Sequence, residues 1–468
     1  MKNNRLHIFF SGIGGSGVSA IAAFMADKGH IISGSDRAFE KNPSHPACVT
    51  LKNKGVTILP QDGSGISSEL DLVVFSTAVE HDRPEYIKAK SLGIRIKTRP
   101  DYLSQIVSEY RTIAVAGTSG KSTVSGMLAY LMSRLGLNPN FIGGGRVKQF
   151  KTPSNAGNSM TGASNLLVIE ACESDGTIVD YRPEHTLVLN LELDHHAVDK
   201  TSKMFDALLD NTRGIIVINA DDHNLAALSS PRRNDAFTFG LSTPAKYIPS
   251  ANTYHSLSSE FSLGGQPFEL SMPGKYNLSN ALACIAMLSE MGIQHNDIAK
   301  VLPDFSGIER RFDIHLDDGT HLVIDDYAHN PHKISALMSA AQPLRERICY
   351  IFQPHGFGPT KMMKDGYIAA FSDGLRDGDH LILLPIYYAG GTAGKDISSH
   401  DLARGINNNG KSVEVVKDRN EVINRLERWD NYIVMGARDE TLSAFARSIA
   451  LLLGLGCSPD RIKLKEAR

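Results

Sequence analysis

Three observations predict an α/β fold made of three successive α/β units. An apolar run, Ile113-Ala-Val-Ala116, leads through a glycine-bracketed turn into a stretch with apolar residues at 124, 127, 128, 131, 132 and 135. That is the pattern of a strand, a tight turn and a helix that ends at Gly136. A second glycine-rich turn, Ser11-Gly-Ile-Gly-Gly-Ser-Gly17, follows another buried-strand run at 6–10. Further short apolar runs closed by polar turns alternate with helical patterns to the end of the chain, as parallel sheets require. The 468 residues suit about three domains of ordinary size, and the motifs place them at 1–107, 108–309 and 310–468. At 42% hydrophobic, each has the material for a core.

The bulk properties exclude several classes. A formal net charge of -2 gives no signal for a nucleic-acid partner, and no basic tract suits an acidic membrane surface. The longest apolar patches, such as Ile449–Leu453, are far too short for membrane insertion. Met1-Lys-Asn-Asn-Arg5 runs straight into a strand pattern without a signal-peptide core. Cysteines at 48, 172, 284, 349 and 457 are far apart, three of them within apolar segments. That spacing suits reduced core thiols, not a disulfide frame or a zinc site. A soluble cytoplasmic protein, monomer or homodimer, is expected.

In the first unit, Gly12, Gly14 and Gly17, with Gly15 and Ser16 between them, satisfy G-x-G-x-x-G. Asp36 closes the next strand, where a ribose-binding acid belongs, so the unit reads as Rossmann-like. Taken alone this motif says NAD, but glycines at a helix N-terminus suit any nucleotide diphosphate. Strand 70–76 then delivers Ser76 and Thr77 to the same edge.

The central unit carries the chemistry. Gly117-Thr118-Ser119-Gly120-Lys121-Ser122-Thr123 between strand and helix is a phosphate cradle of the P-loop ATPase kind. Its backbone N–H groups bind anionic oxygens, Lys121 adds a mobile positive charge, and the Ser122 hydroxyl suits Mg²⁺. The strict eight-residue form needs glycine at 115, where this chain has Val115, so the loop is a shorter variant. A strand at 166–170 ends in Ala171-Cys-Glu-Ser-Asp175, and one at 186–190 ends in Leu191-Glu-Leu-Asp-His-His196. Strand C-termini line the crevice of a doubly wound sheet, which brings Glu173, Asp194 and His195 toward the loop as magnesium ligands. Asn277 opens an apolar helix, either as a ligand contact or as its N-cap.

The third unit begins at Arg310-Arg-Phe312 and a short polar hairpin. Strands near 322–326, 350–353, 380–384 and 432–435 follow, again Rossmann-like, with polar turns forming a second ligand-facing rim.

Together these motifs resemble the Mur ligase family. The carriers are Ser11–Gly17, Ala116–Thr123, Glu170–Asp175, Leu193-Asp-His195 and Gly274–Ala281, continued by Gly307–Phe312, Asp325-Asp-Tyr-Ala-His329 and Phe352-Gln-Pro-His355. They run in order through nearly the whole chain. The resemblance implies an ATP- and Mg²⁺-dependent ligase that joins an amino acid, L-alanine or a similar amine, to the carboxylate of UDP-N-acetylmuramate through an acyl phosphate. It assigns the first glycine loop, with Asp36, Ser76 and Thr77, to the UDP-sugar instead of NAD. It gives Lys121 the β/γ-phosphates, Ser122 and Glu173 a first Mg²⁺, and His195 a second. Asn277 would contact adenine, Arg311 and Asp326 the nucleotide, and Tyr327, His329 and His355 the amine. A ligase that attaches a peptide to the same sugar is the nearer alternative, and an NAD-dependent oxidoreductase a remote one.

Three departures from the family pattern stand out. Asp210 occupies the place where several relatives carry a carbamylated lysine; the alanine-adding branch also lacks it. Ser119 replaces a histidine inside the loop. After His355, the family's alanine-adding members have an arginine and a second one three residues on, a pair suited to a two-pronged grip on a carboxylate. Here those positions are Gly356 and Pro359, and Lys361 is left as a single point charge. The expectation is an acceptor not tightly clamped by its α-carboxylate.

Overall fold

The structure, a computed structural model, describes residues 5–193, 196–388 and 394–455. Two compact units result, Met1–Ile308 and Glu309–Arg468.

The first unit holds two parallel sheets and a small antiparallel one. Strands β1 (His7–Ser11), β2 (Ile31–Ser35), β3 (Thr57–Ile58), β4 (Leu72–Phe75) and β5 (Ile96–Thr98) form a sheet ordered β3-β2-β1-β4-β5. The chain moves outward from β1 in both directions, so the turn after β1 sits at the point where strand order reverses. The second sheet contains β6 (Arg111–Ala116), β7 (Asn140–Ile142), β8 (Ser159–Met160), β9 (Leu166–Glu170), β10 (His185–Val188), β11 (Ile216–Asn219) and β12 (Phe237–Phe239). Its order is β12-β11-β10-β6-β9-β7-β8, and only the β7–β8 pairing is antiparallel. Here the reversal falls at β6, between β9 and β10. Strands β13 (Ala251–Tyr254), β14 (Ser259–Leu263) and β15 (Gln266–Leu270) make the antiparallel sheet, which the sequence patterns did not reveal.

Alternation along β6 explains its double burial. Ala114 and Ala116 join one core, while Ile113 and Val115 join another with Val124, Met127 and Leu128 of the helix Lys121–Arg134. The helix Arg99–Glu109 contains the expected boundary at 107. Its Tyr102, Leu103, Ile106 and Val107 share one core with Ile8 and Phe10 of β1 and with Ala114 and Ala116 of β6. Apolar packing thus runs without a break between the two parallel sheets, which is why they form one compact body.

The second unit has one six-stranded sheet of β16 (Asp313–Asp317), β17 (Leu322–Asp326), β18 (Cys349–Gln353), β19 (His380–Leu383), β20 (Val413–Val415) and β21 (Asn431–Gly436). The order is β16-β17-β21-β18-β19-β20, parallel except for the β16–β17 hairpin. Tyr350 and Phe352 enter one core with Ile334, Tyr367 and Leu402; Cys349 and Ile351 enter the other with Leu442 and Phe445. Among the described residues, Cys48, Cys284 and Cys349 are buried free thiols and Cys172 is half-buried. No helix among them is long and apolar enough to cross a membrane.

Candidate active site

The turn after β6 is shaped by its two glycines. Gly117 has φ +146° and Gly120 φ +83°, values that L-side chains rarely adopt. A Cβ on Gly120 would lie 2.8 Å from Asn280 Oδ1. Asn190, just beyond β10, ties the loop down: its Oδ1 accepts from Thr118 Oγ1 at 2.8 Å and Ser119 N at 2.7 Å, and its Nδ2 donates to Ser119 O at 3.1 Å. Gly120 then caps the helix Lys121–Arg134, whose first-turn amides point into the loop.

Lys121 and Glu173 are 8% and 1% exposed. The Lys121 ammonium donates to Glu173 Oε2 at 2.8 Å and to Gly117 O at 2.5 Å. Burial pulls its pKa down, but Cys172 first, then Glu173 and Glu170, outweigh that and hold it above the ordinary value. Ser122 meets a different acid from the one expected. Its Oγ is 3.0 Å from each carboxylate oxygen of Glu170, the last residue of β9, and Gly144 N donates to Glu170 Oε2 at 2.9 Å. Glu173 Oε1 is buried without a hydrogen-bond partner.

Two carboxylates, one of them with an orphaned oxygen, and a hydroxyl make a hard-oxygen donor set of the kind Mg²⁺ takes. No group of three or more His, Cys, Asp or Glu side chains able to hold a metal occurs among the described residues. The expected ligands Asp194 and His195 lie outside the described residues. Asn277 does not cap its helix. Gly274 is the N-cap, and buried Asn277 donates Nδ2 to Pro273 O at 2.8 Å. Asp210 accepts from Ser230 Oγ at 2.6 Å.

A second cluster gathers at the carboxyl ends of β1, β2 and β4. Gly12 (φ +77°) passes so close to Ser76 that a Cβ would lie 2.8 Å from that residue's own, and Gly12 N donates to Ser35 O at 2.9 Å. Asp36 spends both oxygens on backbone, accepting from Gly14 N and Ala38 N at 2.9 Å each. Sequence patterns missed Glu85. It is fully buried and accepts from the hydroxyls of Ser11 and Ser35, and burial raises its pKa. Gly15, Ser16 and Gly17 open the helix Ser16–Asp27, and Asn158 Nδ2 donates to Ser16 O at 2.9 Å. Thr77 follows in the turn after Ser76.

In the second unit, three expected residues come together. The Tyr327 and His329 rings are 5.6 Å apart, and those of His329 and His355 5.4 Å. His329 Nδ1 is 2.9 Å from Tyr327 O. A carbonyl only accepts, so Nδ1 carries the hydrogen and Nε2 the lone pair. Burial drives the His329 pKa down to about 3 and also lowers that of His355, whose Nδ1 is buried without a hydrogen-bond partner. Asp326 and Lys361, both expected to face ligands, have partners within the protein. Asp326 is committed to backbone, accepting from Phe312 N and Ala328 N at 2.7 Å each, and burial raises its pKa against the pull of Arg311. Arg311 stacks on Tyr327, 5.0 Å from the ring centre. Lys361 is not a free charge, because its ammonium is ion-paired with Asp396.

Three family models match this chain in succession: the Mur ligase family catalytic domain at residues 7–111, the Mur ligase middle domain at 115–288 and the Mur ligase glutamate ligase domain at 310–438. The UDP-N-acetylmuramate–L-alanine ligase of Caldicellulosiruptor saccharolyticus is 31% identical over 456 residues, 92% of this chain and 96% of that one. Its namesake from Lachnospira eligens is 32% identical over 461 residues, 93% and 96% of the two chains. The chain belongs to the Mur ligase family. Solved Mur ligases share its fold. The UDP-N-acetylmuramate–alanine ligase of Thermotoga maritima superposes with TM-score 0.79 at 24% identity, covering 97% of this chain and all of that one. A murein peptide ligase from Psychrobacter arcticus gives 0.68 at 23% identity, covering 96% and 99%. As a Mur ligase this protein is an amide-forming enzyme, and an oxidoreductase built on the first glycine loop is set aside.

Proposed function

We propose that this Mur ligase uses ATP and Mg²⁺ to join the α-amine of an amino acid, L-alanine or a close analogue, to the carboxylate of UDP-N-acetylmuramate in the cytoplasm. The observation that carries this is the packing of Lys121, Ser122, Glu170 and Glu173 around a glycine-shaped loop at the strand-order reversal of the second sheet. The names of relatives that match over nine-tenths of the chain supply the substrates.

A carboxylate is a poor electrophile, so the γ-phosphoryl group of ATP is first transferred to it, with ADP as leaving group, giving an acyl phosphate whose phosphate leaves readily. Two anions must meet for this, and the loop amides with Lys121 offset their repulsion. Lys121 exchanges its present contact with Glu173 for phosphate oxygens. Ser122, Glu170 and Glu173 would hold Mg²⁺, which would supply further charge neutralisation and in-line alignment when bound. The UDP-sugar lies along the Gly12–Gly17 turn, where helix-start amides meet the diphosphate and Ser76 and Thr77 flank it. The Asp36 and Glu85 contacts hold that turn in shape. The amine then attacks the acyl carbon and expels phosphate. His329, with Nδ1–H turned to the Tyr327 carbonyl, offers its Nε2 lone pair as an acceptor for the amine, and the proton lost on amide formation leaves with the released phosphate.

Phosphate release from ATP with UDP-N-acetylmuramate and a panel of amino acids, amino-acid amides and short peptides tests this. Release that depends on both the sugar nucleotide and one amino acid is expected. Release with peptides alone would move the enzyme to peptide attachment, and none with any acceptor would overturn the assignment.

A further inference from the structure

Gly356 and Pro359 leave the amine-binding rim without the expected guanidinium pair, and Lys361 is engaged by Asp396. Another cation reaches the same place from a different loop. β18 and β21 are adjacent and parallel, with Gln353 paired to Gly436 at their carboxyl ends. The segments that follow, Pro354–His355 and Ala437–Arg438, therefore leave the sheet side by side. Arg438 N is 3.3 Å from the Tyr327 hydroxyl, in the ring cluster of Tyr327, His329 and His355. The positive charge of Arg438 is also felt at His355, adding to the effect of burial there.

Two features mark Arg438 as more than a surface residue. It is exposed, and no ion pair among the described residues includes its guanidinium. Its φ is +68°, a conformation glycine adopts freely and a residue with a Cβ adopts only under strain. The neighbouring side chains are spent elsewhere. Asp439 pairs with Arg419 at 2.5 Å, and Arg310 donates to Gly436 O and Asp439 O, which fixes the turn from below. A strained turn thus carries an unpaired guanidinium on the loop whose backbone meets the Tyr327 hydroxyl, in the ring cluster where His355 Nδ1 is buried without a partner.

We propose that Arg438 binds the α-carboxylate of the incoming amino acid, taking over the charge that Gly356 and Pro359 do not supply. The proposal rests on the amide-ligase assignment above and sharpens its acceptor to one that carries a free carboxylate. Guanidinium matches a carboxylate with two parallel hydrogen bonds, so one arginine is enough to orient a small amino acid.

The test compares wild type, Arg438→Gly and Arg438→Lys in the full-length enzyme, with ATP and UDP-N-acetylmuramate and either L-alanine or L-alaninamide. Glycine relieves the backbone, so Arg438→Gly is expected to melt at the same temperature or higher. Its KM for L-alanine should rise by about tenfold or more, with KM for ATP and the sugar nucleotide unchanged, and its preference for L-alanine over the amide should vanish. Arg438→Lys keeps the charge and loses the fork, and should fall between the two. Arg438→Gly with unchanged KM and preference overturns the proposal, as does a wild type that uses the amide as well as the acid. A wild type inert with every acceptor removes the ligase assignment itself, and the Arg438 role with it.

Discussion

Ser122 Oγ lies 3.0 Å from each carboxylate oxygen of Glu170. The pair joins the first turn of the phosphate-loop helix to the end of β9, so Glu170 and Ser122 would share an ion that neither holds alone. Glu170→Gln is expected to raise the Mg²⁺ concentration for half-maximal activity by about tenfold to a hundredfold, as loss of a ligand or its close support does. Gly144→Ala should act in the same direction, since its Cβ would lie 2.9 Å from Glu170 Oε2 and push the carboxylate aside. Mg²⁺ titrations of phosphate release decide this; curves that overlay wild type would remove Glu170 from the site.

Lys121 and Glu173 form a buried pair whose members depend on each other. Removing the lysine leaves a carboxylate that is 1% exposed and uncompensated, which costs about 3–5 kcal/mol. Lys121→Met should therefore lose stability as well as phosphate release. Lys121→Met with Glu173→Gln should regain most of the stability and none of the activity, because a neutral pair has no charge to strand. UDP-sugar binding should survive in every folded variant, since that turn belongs to another sheet. Urea unfolding alongside turnover separates the effects. A fully stable Lys121→Met would show that the pair carries no such coupling.

What the sequence makes legible follows from local physics. Both glycine turns combine an apolar strand run, at least one glycine at positive φ and a helix start, and all three leave marks within fifteen residues. The roles of Glu170 and Glu173 are not local. Which strand-end carboxylate meets Ser122 depends on strand pleat and on the path of Ala171–Ser174, both set by the sheet. Glu85 reads as one charge in the polar stretch Arg83-Pro-Glu. Its burial comes from Ser11 and Ser35, 74 and 50 residues away in sequence. Arg438 gives no sign in composition of a backbone angle that glycine would suit better. A signal was nevertheless present for Glu170 and Asn190. Glu170 ends β9 and Asn190 lies two residues beyond β10, both beside the strand-order reversal, where ligand-facing groups belong.

Lys361 is the contrasting case. Its ion pair with Asp396 is exposed on both sides, and such pairs contribute about 0–1 kcal/mol. Lys361→Ala should leave the melting temperature within a degree or two of wild type, roughly, and KM for the amino acid unchanged. A large rise in that KM would return Lys361 to the amine site.

Burial first, and the Lys333 charge second, hold the His329 pKa at about 3, against about 6.5 in an unfolded chain. Between those values the unfolded chain binds a proton that the native protein refuses, so unfolding takes up a proton and stability falls as pH falls. The contribution is whole above about pH 6.5 and drains away toward pH 3, at no more than about 1.4 kcal/mol per pH unit. His355 is shifted the same way, with burial the main cause and Arg438 adding to it. Paired carboxylates also titrate at the lower end of this range, but they do so in wild type and variant alike. The informative quantity is therefore the difference between the two proteins. His329→Asn, which has no proton to gain, should show a stability-against-pH curve flatter than wild type by up to one proton between about pH 6 and 4. Unfolding free energies from urea titrations at half-unit pH steps measure this directly. Parallel curves would mean that His329 takes its proton in the folded state as readily as in the unfolded one, and that the cluster it shares with Tyr327 and His355 is wetter than its packing implies.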